Sequence, residues 1–308
     1  MIKKTSLLTL LIVISFVAFP GELKQKLQKL SDTYNFKITE LKSEAFFSEK
    51  YLIEIKQPLD HAENNGETFT QRVFISHRSF DDPMVFITEG YAADYAQNPG
   101  YINELSAILN ANQVCVEHRF FGHSVPKPKQ WEYLTIKNSA ADHHRIISLL
   151  KEIYSGKWIS TGISKGGQTA LFHRYFYPDD VTVTVGYVCP VNFSFEDKRV
   201  YHFLEYVGDS LTRRKVYNYQ YKMLKDKGKY LETFRDLAKE KRISYDLSIS
   251  EAYELTVLEY SFAFWQWGIT PVDSIPDTTA SPAVMIRHLD QVADISWVST
   301  EGIERMQP

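Results

Sequence analysis

What this 308-residue chain lacks narrows its chemistry before any motif is considered. Cysteine is scarce: Cys115 and Cys189 are the only two, too few for a disulfide scaffold. Each sits in an apolar strand pattern, Val114-Cys115-Val116 and Tyr187-Val188-Cys189, which predicts buried free thiols. No histidine, cysteine or carboxylate cluster recurs at a metal-ligand spacing, so no metal and no other cofactor is expected. There is no basic block and no glycine-rich phosphate cradle, and the net charge is −3, which argues against nucleic acid as a partner. No apolar run is long enough to be a comfortable membrane span, so no stable membrane partner is expected. Internal repeats and low-complexity segments are absent as well.

What is present is an ordinary globular composition, 44% hydrophobic and 24% charged, with 19 tyrosines and 19 phenylalanines. At its start, Lys3-Lys4 precedes an apolar stretch from Leu7 to Ala18, the pattern of a signal peptide over residues 1–21. That reading places the protein outside the cytoplasm, in a periplasmic or extracellular compartment; an uncleaved anchor is the alternative.

Residues 22–50 are charged and helix-leaning, with Leu23, Leu27 and Leu30 on one face. Two alternating strands follow, Tyr51–Ile55 and Thr70–Ser76. Met84–Thr88 and Val114–Val116 read as buried strands, separated by a helix from about Gly100 to Asn110 with Ile102, Leu105, Ile108 and Leu109 as its stripe. Asn138 is a candidate N-cap for a helix reaching Tyr154. A strand from Trp158, a helix over 168–176 and a strand over 181–188 complete the series. Alternating strands and helices after an antiparallel hairpin imply an α/β fold, a mostly parallel sheet of the α/β-hydrolase type over 22–194. Residues 195–308 hold no convincing strand and read as helical, with long stretches over 211–240 and 249–267. The aromatic run Phe262 to Trp267 suits either the buried face of a bundle or the lining of a lid.

Within this order lies Gly162-Ile163-Ser164-Lys165-Gly166, a G-x-S-x-G nucleophile elbow. A serine there stands on a sharp strand-to-helix turn, and glycines flank it because strand and helix close on one another. Such a serine attacks a carbonyl and forms a covalent acyl intermediate. The amide of Lys165, at a helix N-terminus, is one candidate oxyanion donor, and the amide of Tyr91, after the third strand, is the other. Glu117 and Arg119 suit a structural ion pair. His118 and His123 precede Ser164 and do not fit the order nucleophile, acid, histidine. His143 and His144 are adjacent on a helix, cannot share one metal, and suit a solvated face. His173 and His202 lie in predicted helices; His288 with Asp290 or Asp294 is the remaining internal candidate for the base.

Val116-Glu117-His118-Arg119-Phe120-Phe121-Gly122-His123-Ser124 and the elbow together resemble the secreted bacterial tripeptidyl aminopeptidases, relatives of lysosomal Pro-Xaa carboxypeptidase and dipeptidyl peptidase II. Gln57-Pro58-Leu59-Asp60-His61, Thr68–Arg72 and His173–Pro178 extend the likeness from about Tyr51 to Phe195. The resemblance implies a serine exopeptidase with an α/β-hydrolase core, a helical cap over 195–308 and a preference for proline near the cleaved bond. Ser164 carries over as nucleophile. No residue matches the family's acid and histidine, which are expected beyond Pro308, so the chain reads as a fragment. Peptides are the expected substrates, and an aminopeptidase needs an anion for the substrate ammonium, for which Glu89 and Glu117 are the candidates. A carboxylic-ester hydrolase and a non-catalytic envelope binding protein are the alternative readings.

Overall fold

The computed structural model describes residues 21–63 and 66–306; nearly all of the expected signal peptide lies outside the described residues. The chain divides into two units, residues 1–190 and 191–308. No helix among the described residues is long and apolar enough to cross a membrane.

The first unit is built on a seven-stranded sheet: β1 (Lys37–Glu40), β2 (Glu49–Pro58), β3 (Thr68–His77), β4 (Met84–Thr88), β5 (Asn112–Val116), β6 (Trp158–Ile163) and β7 (Val183–Tyr187). Their spatial order is β1-β2-β3-β5-β4-β6-β7. β1, β2 and β3 pair antiparallel, β3 meets β5 antiparallel, and β5-β4-β6-β7 run parallel. β4 and β5 are buried at every position, as strands covered on both faces must be. Side-chain alternation divides the core in two. Met84 and Phe86 join Leu23, Leu27 and Leu30 of α1 (Glu22–Tyr34) and Ile146, Ile147 and Leu150 of α3 (Ile136–Leu150) on one face. Val85, Ile87 and Cys115 face the other way, where Leu105 of α2 (Glu104–Leu109) packs. This is the α/β-hydrolase sheet, and the crossing between β4 and β6 puts the C-terminal ends of three parallel strands side by side.

Several local expectations change. Helix α1 ends at Asn35 in a left-handed conformation (φ 53°), and the next residues form edge strand β1 rather than more helix. α2 is six residues long, and Ile102, Ile108 and Leu109 are exposed. Thr135, not Asn138, caps α3, its side chain accepting from the Asn138 amide. Asn138 instead accepts the His61 amide at 3.1 Å. Cys115 is buried as expected, but Cys189 is only half-buried, and both thiols are free. Two strands separate β5 from β7 in the sheet.

The second unit holds helices joined by loops and no strand among its described residues: α5 (Lys198–Tyr206), α6 (Ser210–Lys225), α7 (Lys227–Glu240), α8 (Ile249–Trp267), α9 (Pro282–Ala293) and α10 (Thr300–Met306). The stretch read as one helix over 211–240 breaks at Asp226. Its core centres on Tyr219, Tyr230, Phe234, Tyr253, Tyr260 and Met285. Buried tyrosines need partners for their hydroxyls. Tyr219 donates to the Met285 carbonyl (2.7 Å) and Tyr253 to that of Met223 (2.9 Å). In the aromatic run, Phe264 is buried whereas Phe262 and Trp267 are exposed, so only part of that run belongs to the core.

Candidate active site

The elbow forms where β6 hands the chain to α4 (Lys165–Phe176). Ser164 sits between them at φ 54°, ψ −121°, a conformation that side chains other than glycine seldom adopt. Three contacts hold it there. Its amide donates to the Tyr187 carbonyl (2.9 Å), its carbonyl accepts from the Gln168 amide (3.1 Å), and the Thr88 hydroxyl donates to the Gly166 carbonyl (2.8 Å). Gly162 is obligatory: a Cβ there would run into the Gly166 backbone and stand 2.7 Å from the Thr88 carbonyl oxygen. The strained turn leaves Ser164 exposed. The first amides of α4, beginning with Lys165, have no intrahelical acceptor and are open to an acceptor from outside the helix.

The segment after β4 runs against this helix start. A Cβ on Gly90 would lie 2.6 Å from Lys165 Cβ and 2.9 Å from the Gly166 nitrogen, so only glycine permits the approach. Tyr91 accepts the His118 amide at its carbonyl (3.1 Å). Its own amide has no hydrogen-bond acceptor among the described residues. Glu89, half-buried, accepts from the Tyr95 hydroxyl, and burial pushes its carboxyl up to about 7.

Glu117 is not placed to meet a substrate ammonium. It is fully buried, paired with Arg72 through Nε (3.0 Å) and Nη2, and it accepts from the Ala93 and His123 amides and the Ser124 hydroxyl. Nor does it pair with Arg119. The Arg119 guanidinium instead clasps Asp142 in two bonds, Nε to Oδ2 (2.7 Å) and Nη2 to Oδ1 (2.8 Å). Asp142 also binds His61 (2.7 Å), and the Arg119 guanidinium holds its carboxyl below the usual range against the opposing effect of burial. The two glutamate and arginine side chains thus anchor the β5 loop from beneath. Arg72 and Asp142 are the partners that sequence reasoning missed. Arg72 shares a face of β3 with Thr70 and Ser76, and Asp142 is polar on a helix, so neither position stood out in the sequence.

The histidines divide differently from expectation. His143 is buried, not solvated, packed edge-on against Phe86 and His173, and burial lowers its pKa well below the ordinary value. His144 and His173 both bind Asp180, at 2.8 and 2.9 Å. His288 bonds the Tyr260 hydroxyl (2.8 Å) inside the helical unit, while Asp290 pairs with Lys241 and Asp294 accepts from Ser296, so neither carboxylate orients it. No histidine among the described residues hydrogen-bonds Ser164.

His118, set aside on chain order, lies closer to the elbow than any of these readings implied. It is buried, its Nδ1 2.8 Å from the Arg119 carbonyl oxygen and its Nε2 3.0 Å from the Ser139 hydroxyl. Burial lowers its pKa to about 4, opposed by the Arg119 carbonyl and aided by the Lys165 charge. With Ser139, Lys165, Gln168, Leu134 and Phe172 it lines a cavity of ≈ 220 Å³ beside the start of α4.

Known proteins resemble this chain over much of its length. A prolyl tri/tetrapeptidyl aminopeptidase of Streptomyces mobaraensis is 34% identical over 264 residues, 84% of this chain and 55% of the relative. A lysosomal Pro-X carboxypeptidase of Bos taurus is 28% identical over 207 residues, 61% of this chain and 41% of the relative. The chain therefore spans about half the length of the curated relatives it matches. Residues 27–308, elbow and helical unit alike, match the family described as PS-10 peptidase S37, and the chain belongs to it.

Proposed function

We propose that the protein is an exported serine exopeptidase that releases short peptides, tripeptides among them, from substrate N-termini through an acyl-enzyme on Ser164. The observation that carries this reading is Ser164 itself, exposed and held at φ 54° on a strand-to-helix turn that has no structural need of a serine. The names of the relatives support peptide rather than ester substrates, and the aminopeptidase among them supports prolyl tri- or tetrapeptide release.

In this mechanism Ser164 Oγ attacks the peptide carbonyl while the amides of Lys165 and Tyr91 take up the oxyanion charge. A base takes the Ser164 proton, and a carboxylate orients that base. The C-terminal portion leaves with a proton from the base, and water then hydrolyses the ester. Glu89, near the end of β4, meets the substrate's α-ammonium group when ionised.

The test is product analysis of free-amine and N-acetylated proline-containing peptides by mass spectrometry, with the whole protein and its Ser164→Ala variant. N-terminal tri- or tetrapeptides should appear from free-amine peptides alone, and the variant should release none. Cleavage at internal bonds regardless of N-terminal blocking, or turnover of esters without peptides, would overturn the reading.

A further inference from the structure

The amides of Lys165 and Tyr91 lie on separate segments, one opening α4 and the other following β4. An oxyanion hole lowers a barrier only when its donors are already in place, so the two segments must be held in register. No hydrogen bond joins Tyr91 to α4 among the described residues; its carbonyl is tied instead to the loop after β5, accepting the His118 amide at 3.1 Å. Gly90 brings the segments together, since a Cβ there would lie 2.6 Å from Lys165 Cβ. That close pass does not by itself fix the residue that follows.

The Lys165 side chain supplies a link. Its ammonium lies 4.7 Å from the centroid of the Tyr91 ring and 4.0 Å from that of Phe121, within the range at which a cation is drawn to an aromatic face. The two rings meet edge to face at 5.3 Å, and Phe121 also meets the buried His118 ring at 5.6 Å. Phe121 is buried and Tyr91 exposed, so the buried ring is the fixed point and the exposed one is what the cation restrains. Lys165 makes no ion pair among the described residues, and the acids of the adjoining segments are held elsewhere: Glu117 by Arg72, Asp142 by Arg119 and Glu89 by the Tyr95 hydroxyl. Partial burial lowers its pKa to about 8; the charge is poorly solvated, and ring faces attract it more strongly than they would in water. Neither ring lines the cavity beside α4, so the ammonium serves the rings and not an occupant of that cavity.

We propose that the Lys165 side chain clamps the oxyanion hole: seated on Phe121, its ammonium holds the Tyr91 ring and so fixes the Tyr91 amide against the first amide of α4. The inference rests on Ser164 being the nucleophile and on these two amides being the oxyanion donors. Through its side chain Lys165 is then a positioning residue, apart from the part its amide plays.

The test follows fluorophosphonate labelling of Ser164 in the whole protein across probe concentrations, which separates the maximal rate from the half-saturating concentration. The phosphonyl oxygen calls on the same two donors as a peptide oxyanion. Lys165→Met should lower the maximal rate at least about tenfold and leave half-saturation within about twofold. Lys165→Arg, which keeps both the charge and the stacking, should retain most of the rate. Tyr91→Leu should lose about as much as Lys165→Met, and the double variant no more than either. An unchanged maximal rate in Lys165→Met, or a change in half-saturation alone, would overturn the proposal. So would a full further loss on adding Lys165→Met to Tyr91→Leu, which marks a direct effect of the charge on the site. Should Lys165→Met fail to fold, Tyr91→Leu still decides: a rate equal to wild type overturns the clamp, and a tenfold loss upholds it. Failure of the wild type to label is a different result, which removes the nucleophile and the clamp together.

Discussion

The Thr88 hydroxyl at the end of β4 donates to the Gly166 carbonyl in the first turn of α4, at 2.8 Å. That bond pins the helix start to the centre of the sheet, and Ser164, one residue before α4, has no freedom to leave its strained turn. Strain held this way is a cost borne by the rest of the fold, and glycine relieves it. Ser164→Gly should therefore raise stability by about 1–3 kcal/mol in denaturant unfolding while abolishing every reaction at the site. Ser164→Ala, which keeps the Cβ, should abolish reaction with little change in stability.

The Arg119–Asp142 pair carries a larger share of stability. Both side chains are buried, and removing one charge leaves the other uncompensated. Asp142→Asn should lower unfolding free energy by about 3–5 kcal/mol. Adding Arg119→Leu to it should recover part of the loss, as a double-mutant cycle would show.

Acid should destabilise the first unit well above the carboxylate range. His143 is lowered well below its ordinary pKa and His118 to about 4, in each case chiefly by burial. The unfolded chain then takes up these protons first, at about pH 6.5, so stability is complete above that pH and falls below it. Each such histidine adds a slope of up to about 1.4 kcal/mol per pH unit until its folded pKa is reached. The groups facing His143 include His173, Asp142, His118 and Arg119, and among these Asp142 opposes the shift. His143→Leu should flatten the acid limb of a stability-versus-pH profile and leave neutral stability within about 1.5 kcal/mol.

Glu89 gives the free-amine preference a pH signature. Its carboxyl titrates at about 7, raised by burial, so it is ionised only as pH rises through that value. kcat/KM for free-amine peptides should climb across pH 7 relative to N-acetylated ones. Glu89→Gln should raise KM roughly tenfold for free-amine peptides alone. Equal effects on both substrates would remove Glu89 from ammonium binding.

The elbow was legible in the sequence because its determinants are local: a strand, two glycines and a helix, all within residues 158–176. The parallel sheet was legible for the same reason, since β4 and β5 are short apolar runs between turns. Pairings across the sheet were not. Arg72 and Glu117 are 45 residues apart and meet only because β3 lies beside β5. His143 read as solvated because it is polar on an amphipathic helix, yet α3 is covered there by Phe86 of β4 and His173 of α4. β1 was lost because Lys37-Ile38-Thr39-Glu40 has only an edge strand's weak pattern, and the left-handed Asn35 that ends α1 is a backbone event. Lys165 was read for its amide, and its side chain became informative only once Gly90, Tyr91 and Phe121 stood beside it.

The central claim is that Ser164 is a nucleophile, and peptide mapping of the whole protein after fluorophosphonate treatment tests it most directly. The account predicts one phosphonyl adduct, on the tryptic peptide containing Ser164, absent from Ser164→Ala. An unmodified Ser164, or equal labelling of Ser164→Ala, would contradict it.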